Sequence, residues 1–253
     1  MFRHSLKINA CPALRTLLLL LPLLLLCQPL QAAETMEPAA EVQARTLQHL
    51  YAGLTSLTFD FQQITRTGSR ERTGQGNAVF YKPVAATTPA AKIADRDLPR
   101  SVMRWNYAEP DRQIIINDGQ TLSIYTEKDK QLIKTPAKEL ESDITYAFFA
   151  GNRNLLDDFE AQAPAEEVLS SRVGTLQTLL LVPRTPHNQI RSVQIWFDEK
   201  GVIQRLLLTD HFDAETELRF SRIVLNSLPP RDQQQLESIV SFQPPPGTEV
   251  ITR

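Results

Sequence analysis

Apolar side chains recur at every second position through most of the chain after residue 55, and this period constrains the fold more than any other feature. In its first appearance, Leu57, Phe59 and Phe61 alternate with polar neighbours. Successive side chains of a β-strand point to opposite faces, so such a stretch predicts a half-buried strand. Further strand-like stretches, some of them short and almost wholly apolar, cover residues 76–82, 103–107, 113–117, 121–126, 131–135, 175–182, 192–198, 202–210 and 215–226.

Turn residues separate these stretches at intervals of about ten residues, a spacing typical of antiparallel sandwiches and barrels. Asn117-Asp118-Gly119 predicts a hairpin, because Asp-Gly favours the positive φ angles of a tight turn. Two segments depart from the strand period. Residues 34–54 have helical spacing, and residues 136–149 are helix-like and end in an aromatic pair. Residues 84–99, rich in Ala, Thr and Pro, predict a long loop inserted between two strands.

Residues 1–33 have the layout of a secretory signal peptide. Basic residues come first, a leucine run follows from Leu17 to Leu26, and Gln31-Ala32-Ala33 supplies small residues before the charge returns. We therefore expect cleavage near residue 33, one domain over residues 34–253, and a periplasmic location.

Two alternatives exist for this leader. A membrane-spanning helix needs about 20 apolar residues, whereas the leucine run is about half as long and contains Pro22. A lipoprotein signal would place a lipid on Cys27, but such signals usually have a small residue before the cysteine, and Leu26 is large. Both comparisons favour a cleaved signal.

The rest of the chain offers few groups for catalysis or metal binding. Cys11 and Cys27 both lie in the predicted signal peptide, so the mature chain lacks thiols. His49, His187 and His211 lack the spacing of a zinc site, and neither a Gly-x-Ser-x-Gly motif nor a phosphate-binding loop occurs. The full chain has a net charge of −2 without a basic cluster, which argues against nucleic-acid binding. We predict no catalytic residue, no metal site and no cofactor.

Several short motifs follow one another in a distinctive order. They are Phe59–Gln63, Gly76 with Phe80–Pro83, Met103–Tyr107 with Pro110, Ile114–Tyr125, Phe197-Asp198 with Gly201–Ile203, and Phe242 with Pro245–Ile251. Each motif alone is weakly specific, but together they span nearly all of residues 34–253. Their order and spacing resemble LolA, the family of periplasmic outer-membrane lipoprotein carriers.

The resemblance implies a mainly β fold with helices, in which a single curved antiparallel sheet forms an unclosed β-barrel with a helical lid. It implies a monomeric carrier whose hydrophobic cavity takes lipoprotein acyl chains, or a related lipid, without covalent chemistry. An inner-membrane ABC-type lipoprotein-releasing complex would supply the cargo, and an outer-membrane acceptor would receive it. A lid with two states a few kcal/mol apart is sufficient for such transfer.

The resemblance and the strand pattern together select candidate site residues. The expected cavity residues are Phe59, Phe61, Met103, Trp105, Ile114, Ile116, Leu122 and Ile124. The expected lid residues are Lys82, Phe148 and Phe149; the family usually has arginine where Lys82 stands, and lysine keeps the charge without the planar donor fork. Which strand face lines the cavity stays open, because a shift of one residue exchanges the faces. Periodicity alone favours a filled core.

Two other classes of function are compatible with parts of this reading. An RseB-like regulator would use the same fold to sense lipid and control an inner-membrane signalling protein. A hydrolase of envelope lipids would need a tuned base beside a nucleophile, and the three histidines form no such pair. We expect a carrier rather than an enzyme.

Overall fold

The alternating stretches form strands of one sheet in the computed structural model. The residues that the structure describes are 39–83, 101–150, 154–164, 175–185, 190–230 and 232–253. They belong to one compact unit that spans residues 37–253. The predicted signal peptide, the predicted insertion at residues 84–99 and His187 lie outside the described residues.

Twelve strands are found in the described part of the chain. In order they are β1 (Ser56–Thr67), β2 (Arg70–Tyr81), β3 (Val102–Glu109), β4 (Gln113–Asn117), β5 (Thr121–Thr126), β6 (Gln131–Pro136), β7 (Phe159–Gln162), β8 (Gln177–Pro183), β9 (Ser192–Phe197), β10 (Ile203–Thr209), β11 (Glu215–Leu225) and β12 (Glu249–Thr252). The alternating stretches correspond to β1–β6 and β8–β11. β2 begins earlier than its alternation indicates, and β7 was not predicted.

The strands form a single unclosed sheet in the order β12-β6-β5-β4-β3-β2-β1-β11-β10-β9-β8-β7. The predicted mainly β fold with an unclosed sheet is therefore confirmed. One pair departs from the antiparallel prediction, because β12 runs parallel to β6. The reason is the long connection after β11, which crosses the sheet before β12 begins; a parallel pair requires a crossover of this kind.

The described helical elements are α1 (Ala39–Gly53), a 3-10 turn (Ala137–Ser142), α2 (Ile144–Ala150), α3 (Leu155–Asp158) and α4 (Gln233–Val240). The predicted first helix is confirmed over its described part. The helix-like segment at 136–149 is divided at Asp143, whose Oδ1 accepts the Tyr146 N–H at 2.8 Å and so caps α2. The sequence reading missed α4, which Asp232 caps by accepting the Gln235 N–H at 3.1 Å.

The sheet has an inner face, which carries Phe59, Phe61 and Trp105, and an opposite outer face. α1 and α2 cover part of the inner face, with Leu47 and Tyr51 of α1 buried against it. α4 covers the outer face over β3 and β4. Its Leu236 and Ile239 pack on Tyr81 and Val102.

Small residues on the inner face of β2 let the aromatic rings of β3 reach across to β1. Trp105 lies opposite Ala78, and its ring centroid is 4.6 Å from that of Phe61. At Gly76 the neighbouring strand comes so close that an added Cβ would overlap the Asn106 carbonyl oxygen. Only glycine fits there, so the sequence Gly-Gln-Gly-Asn-Ala at 74–78 allows this aromatic layer to form.

Candidate functional site

A cavity of about 530 Å³ lies on the inner face, between the sheet and the segment that runs from the 3-10 turn into α2. Met103, Trp105 and Leu218 contribute apolar surface from the sheet, and Leu140 and Tyr146 do so from the opposite wall. The cavity is partly open to solvent. Its volume falls within the range of about 300–1,000 Å³ that is usual for small-ligand pockets.

One end of the cavity is polar. The Tyr107 hydroxyl donates to Gln63 Oε1 at 2.8 Å, and Gln63 Nε2 donates to the Thr65 hydroxyl at 3.3 Å. Thr216 lies opposite Thr65 on the neighbouring strand and also lines the cavity. Burial raises the pKa of Tyr107 to about 12, so its hydroxyl stays protonated at neutral pH.

Two carboxylates also line the cavity, and both accept hydrogen bonds from backbone N–H groups. Asp143 caps α2, and burial raises the pKa of its carboxyl while the Tyr146 and Thr145 N–H groups partly offset that effect. Asp210 Oδ1 accepts from the N–H groups of Phe212 and Ala214 at 2.7 and 2.8 Å. Their position in the cavity wall follows from these local turns.

The adjacent part of the inner face is filled by aromatic rings rather than open. Phe149 of α2 is 2% exposed, and its ring centroid lies 5.2 Å from that of Phe59 and 5.3 Å from that of Phe220. Phe148 meets Tyr51 of α1 at 5.0 Å. This aromatic plug, formed by Phe148 and Phe149, connects α1, α2 and the sheet.

Two polar contacts hold the helices that cover the inner face. The Tyr146 hydroxyl of α2 accepts from Asn117 Nδ2 at 2.8 Å. Lys82 Nζ donates to the Tyr51 carbonyl oxygen at 2.8 Å and lies 3.5 Å from that of Ala52, at the end of α1. Burial lowers the pKa of Lys82 to about 8.

The outer face behind the cavity carries a cluster of charges around Glu217. The carboxylate is 1% exposed and lies 2.6 Å from Arg219 Nε, 2.7 Å from Arg205 Nε and 3.2 Å from Arg66 Nη1. Burial alone would raise the pKa of Glu217. The hydrogen bond from Arg219, the charge of Arg205 and the hydrogen bond from Arg66 outweigh burial, so the pKa is lowered.

The described residues contain no group of three or more His, Cys, Asp or Glu side chains placed to hold a metal ion. No helix among them is both long enough and apolar enough to span a bilayer.

A match to a family model identifies the family to which this chain belongs. The model described as "Outer membrane lipoprotein carrier protein LolA" matches residues 100–235, which is more than half of the chain. The chain belongs to the LolA family. The resemblance seen in the order of its motifs is thereby confirmed, and the LolA family is one of carriers rather than of enzymes.

The chain is also similar to individual proteins. An outer-membrane lipoprotein carrier protein of Chromobacterium violaceum is 25% identical over 223 residues, which cover 87% of this chain and 93% of that protein. One from Nitrosomonas europaea is 26% identical over 148 residues, covering 58% of this chain and 66% of the relative. A solved LolA superfamily protein from Nitrosomonas europaea covers 81% of this chain and 99% of its own, with a TM-score of 0.38 at 12% identity. MucB covers 84% of this chain and 65% of its own, with a TM-score of 0.44 at 15% identity.

The structure places six of the eight expected cavity residues on the inner face. Met103 and Trp105 line the cavity, while Phe59 and Phe61 pack beneath the aromatic rings. Leu122 and Ile124 share the inner face, because they lie opposite Asn117 and Ile115 in the register of β4 and β5. They lie beside the cavity rather than among its lining residues.

Ile114 and Ile116 must be corrected, because they point to the outer face. There they form a buried cluster with Tyr125 and Leu132, against which Phe242 packs. The residue between them, Ile115, lines the cavity instead. Three consecutive isoleucines carry no alternation, so the sequence could not show which of them faces inward.

Sequence reasoning also missed the polar end of the cavity and the wall opposite the sheet. Gln63 and Thr65 continue the inner positions of Phe59 and Phe61 along β1, so extending the alternation could have found them. Leu140 and Tyr146 lie in the segment predicted as a lid helix, but only the break at Asp143 sets their orientation.

Proposed function

We propose that this protein binds acyl chains of lipoproteins, or of a related lipid, in the inner-face cavity and carries them through the periplasm. The observation that carries the proposal is the cavity itself, which has apolar side chains on two opposite walls and is partly open to solvent, in a member of a lipoprotein-carrier family. The expected export of residues 34–253 agrees with this location.

Apolar burial supplies enough driving force for such binding. Each methylene removed from water contributes about 0.8 kcal/mol, so a chain of about twelve methylenes gains on the order of 10 kcal/mol before the costs of association. Met103, Ile115, Leu140 and Leu218 offer the apolar surface against which the chain would lie. Covalent chemistry is not needed at any step.

The helices over the inner face act as the lid in this proposal. The plug of Phe148 and Phe149 fills the part of the inner face next to the cavity, so displacement of α2 would extend the cavity toward Phe59 and Phe220. Lys82, which directly follows β2, binds the end of α1 through its hydrogen bond to the Tyr51 carbonyl oxygen. Cargo and partner proteins would shift the balance between lid states by binding one state more tightly.

We further propose the two partners that the family resemblance implies. An inner-membrane ABC-type lipoprotein-releasing complex would deliver the cargo, and an outer-membrane acceptor would remove it. In the alternative, RseB-like function, the same loaded cavity would regulate an inner-membrane signalling protein. Cross-linking in cells separates the two, since recovery of a signalling protein instead of a transporter would favour the alternative.

The test is lipid analysis of the protein purified from the periplasm, followed by uptake of a fluorescent fatty acid. We expect bound acyl lipid and saturable uptake. Thr216→Trp should lower probe affinity at least tenfold, because the indole would occupy the cavity. The matched control is Gln62→Trp, which adds the same side chain on an exposed outer-face position of β1 and should leave affinity unchanged. Absence of both lipid and uptake would contradict the proposal.

A further inference from the structure

The cavity has one end at the rim of the sheet and the other end inside the fold. Thr67 and Asp210, which line the cavity, lie beside the hairpin turns that follow β1 and β10. The inner end reaches Phe80, whose ring centroid is 5.5 Å from that of Phe149 in the aromatic plug. Phe149 is 2% exposed, so a ligand that enters at the rim meets the buried plug at the far end.

The side chains along the cavity define the direction in which an amphiphile would lie. Gln63, Thr65 and Tyr107 offer hydrogen-bonding groups on the side of the rim. The register of β1, β2 and β3 places Trp105 and then Met103 farther from that rim. A polar head that is buried among apolar side chains loses its hydration. The head of the ligand therefore lies at the rim, and its terminal methyl group points to the plug.

The volume of the cavity matches one acyl chain in this orientation. At about 30 Å³ for each methylene, close to the share of one molecule in liquid water, the cavity of about 530 Å³ has room for roughly 18 such groups. Part of that room lies beside the polar side chains, so one chain of about palmitoyl length fills the rest. Phe149 occupies the adjoining space, where it packs against Phe59 and Phe220.

We propose that the cavity holds a single acyl chain of about palmitoyl length and that Phe149 sets the longest chain it accepts. This inference rests on the proposed acyl-chain binding and adds to it the number and the length of the chains that are bound. A lipid with one chain is then fully accommodated, whereas further chains of a lipid stay outside the cavity until α2 moves.

A series of monoacylglycerols, with chains from decanoyl to arachidoyl, tests the length limit. Each lipid is used below its aggregation concentration to displace a fluorescent fatty acid from the purified protein. Affinity should rise about fourfold with each added methylene as long as the longer chain gains buried surface. The rise should end near the palmitoyl chain, because longer chains meet the plug. An affinity that keeps rising through the arachidoyl chain would overturn the proposal.

Substitutions at the two sides of the apolar end should move this limit in opposite directions. Phe149→Ala should shift the end of the rise to longer chains, because the space of the ring becomes available. Phe149→Leu is less disruptive to the core and should give a smaller shift in the same direction. Met103→Trp should shift the limit to shorter chains, because the indole takes up part of the cavity. The controls Phe242→Ala and Gln62→Trp remove and add a ring on the outer face and should leave the limit unchanged.

The position of the limit separates a length-setting role of Phe149 from a merely structural one. A structural role would lower affinity for all chain lengths alike, and an unchanged limit in Phe149→Leu would therefore overturn the proposal and leave acyl carriage intact. Native mass spectrometry counts the bound chains. The unmodified protein should bind one monopalmitoyl glycerol at saturation, and two would overturn the single-chain limit. Failure of the unmodified protein to bind any lipid of the series would overturn the proposed function as well.

Discussion

Two neighbouring halves of the inner face differ in what occupies them. In the filled half, Phe148 and Phe149 of α2 stack among Tyr51, Phe59 and Phe220 with centroid separations of 4.9–5.9 Å among several of these rings. In the open half, the same strands border a cavity of about 530 Å³. The sheet is continuous beneath both halves, so the difference comes from the side chains.

The open half follows from a change of residue type along the strands. On β1 the inner positions run from Phe59 and Phe61 to Gln63 and Thr65, and on β11 Phe220 pairs with Phe61 while Thr216 pairs with Thr65. Smaller and polar side chains thus replace rings at the same depth. The cavity is therefore a property of the sequence in these strands rather than a gap left by poor packing.

The largest expected effect tests whether the filled half is packed as a core. Phe149→Ala should lower the free energy of unfolding by about 4 kcal/mol, since it opens a void among five rings. Leu218→Ala, in the wall of the open half, should cost about 2 kcal/mol because the cavity beside it already exists. Urea unfolding of both variants measures the difference. Equal losses would mean that the two halves are packed alike in solution.

The second prediction concerns the outer face behind the open half. Glu217→Gln should cost about 3 kcal/mol in unfolding free energy, because three arginines lose the carboxylate they surround. Glu215→Gln is the control, since that side chain is 41% exposed and its carboxylate is 3.9 Å from Arg66, and it should cost less than about 0.5 kcal/mol.

The pH dependence of Glu217 has a defined sign. Its pKa is lowered in the folded protein, so its contribution to stability is present above the ordinary glutamate range and is lost as pH falls through the lowered pKa. Between pH 6 and pH 3 (a range of about three units spanning the ordinary glutamate pKa), the melting temperature should therefore fall more steeply with pH for the unmodified protein than for Glu217→Gln. If the melting temperatures of the two proteins fall in parallel with pH, Glu217 does not contribute to the loss of stability in acid.

A third, smaller effect separates the two faces of β4. Ile116→Ser should cost about 2–3 kcal/mol of stability and leave acyl-chain affinity unchanged, because Ile116 is buried on the outer face. Ile115→Ser should cost about 1 kcal/mol and lower affinity severalfold, because Ile115 lines the cavity. Chemical denaturation and probe binding on both variants give the comparison. The reverse pattern would restore the original assignment of Ile116 to the cavity.

The same strand shows how far the sequence could predict this protein. Alternation located most of the strands, and the order of motifs indicated the family and the unclosed sheet. Ile114 and Ile116 face outward, where Val240 at the end of α4 and Phe242 just after it pack against their cluster. The sequence Gln-Gln-Gln-Leu-Glu-Ser-Ile-Val in α4 has only two buried residues, Leu236 and Ile239, so its helical period is short and weak. The open cavity could not be predicted, because alternation shows which face of a strand is buried but not whether side chains or a cavity lie above that face.

The last prediction concerns Lys82, which connects the filled half to the end of α1. Its pKa is lowered from 10.5 to about 8 by burial, so the folded protein releases this proton at lower pH than the unfolded chain does. Between pH 8 and about 10 the unfolded state therefore binds more protons, and stability rises with pH in this window. An NMR titration of carbon-labelled lysine should show one side chain with its midpoint near pH 8. Lys82→Met should remove both that titration and the rise in stability, whereas Lys134→Met, on β6, should remove neither. A Lys82 midpoint at the ordinary lysine value would mean that the amine is hydrated in solution and that α1 is not held by this contact.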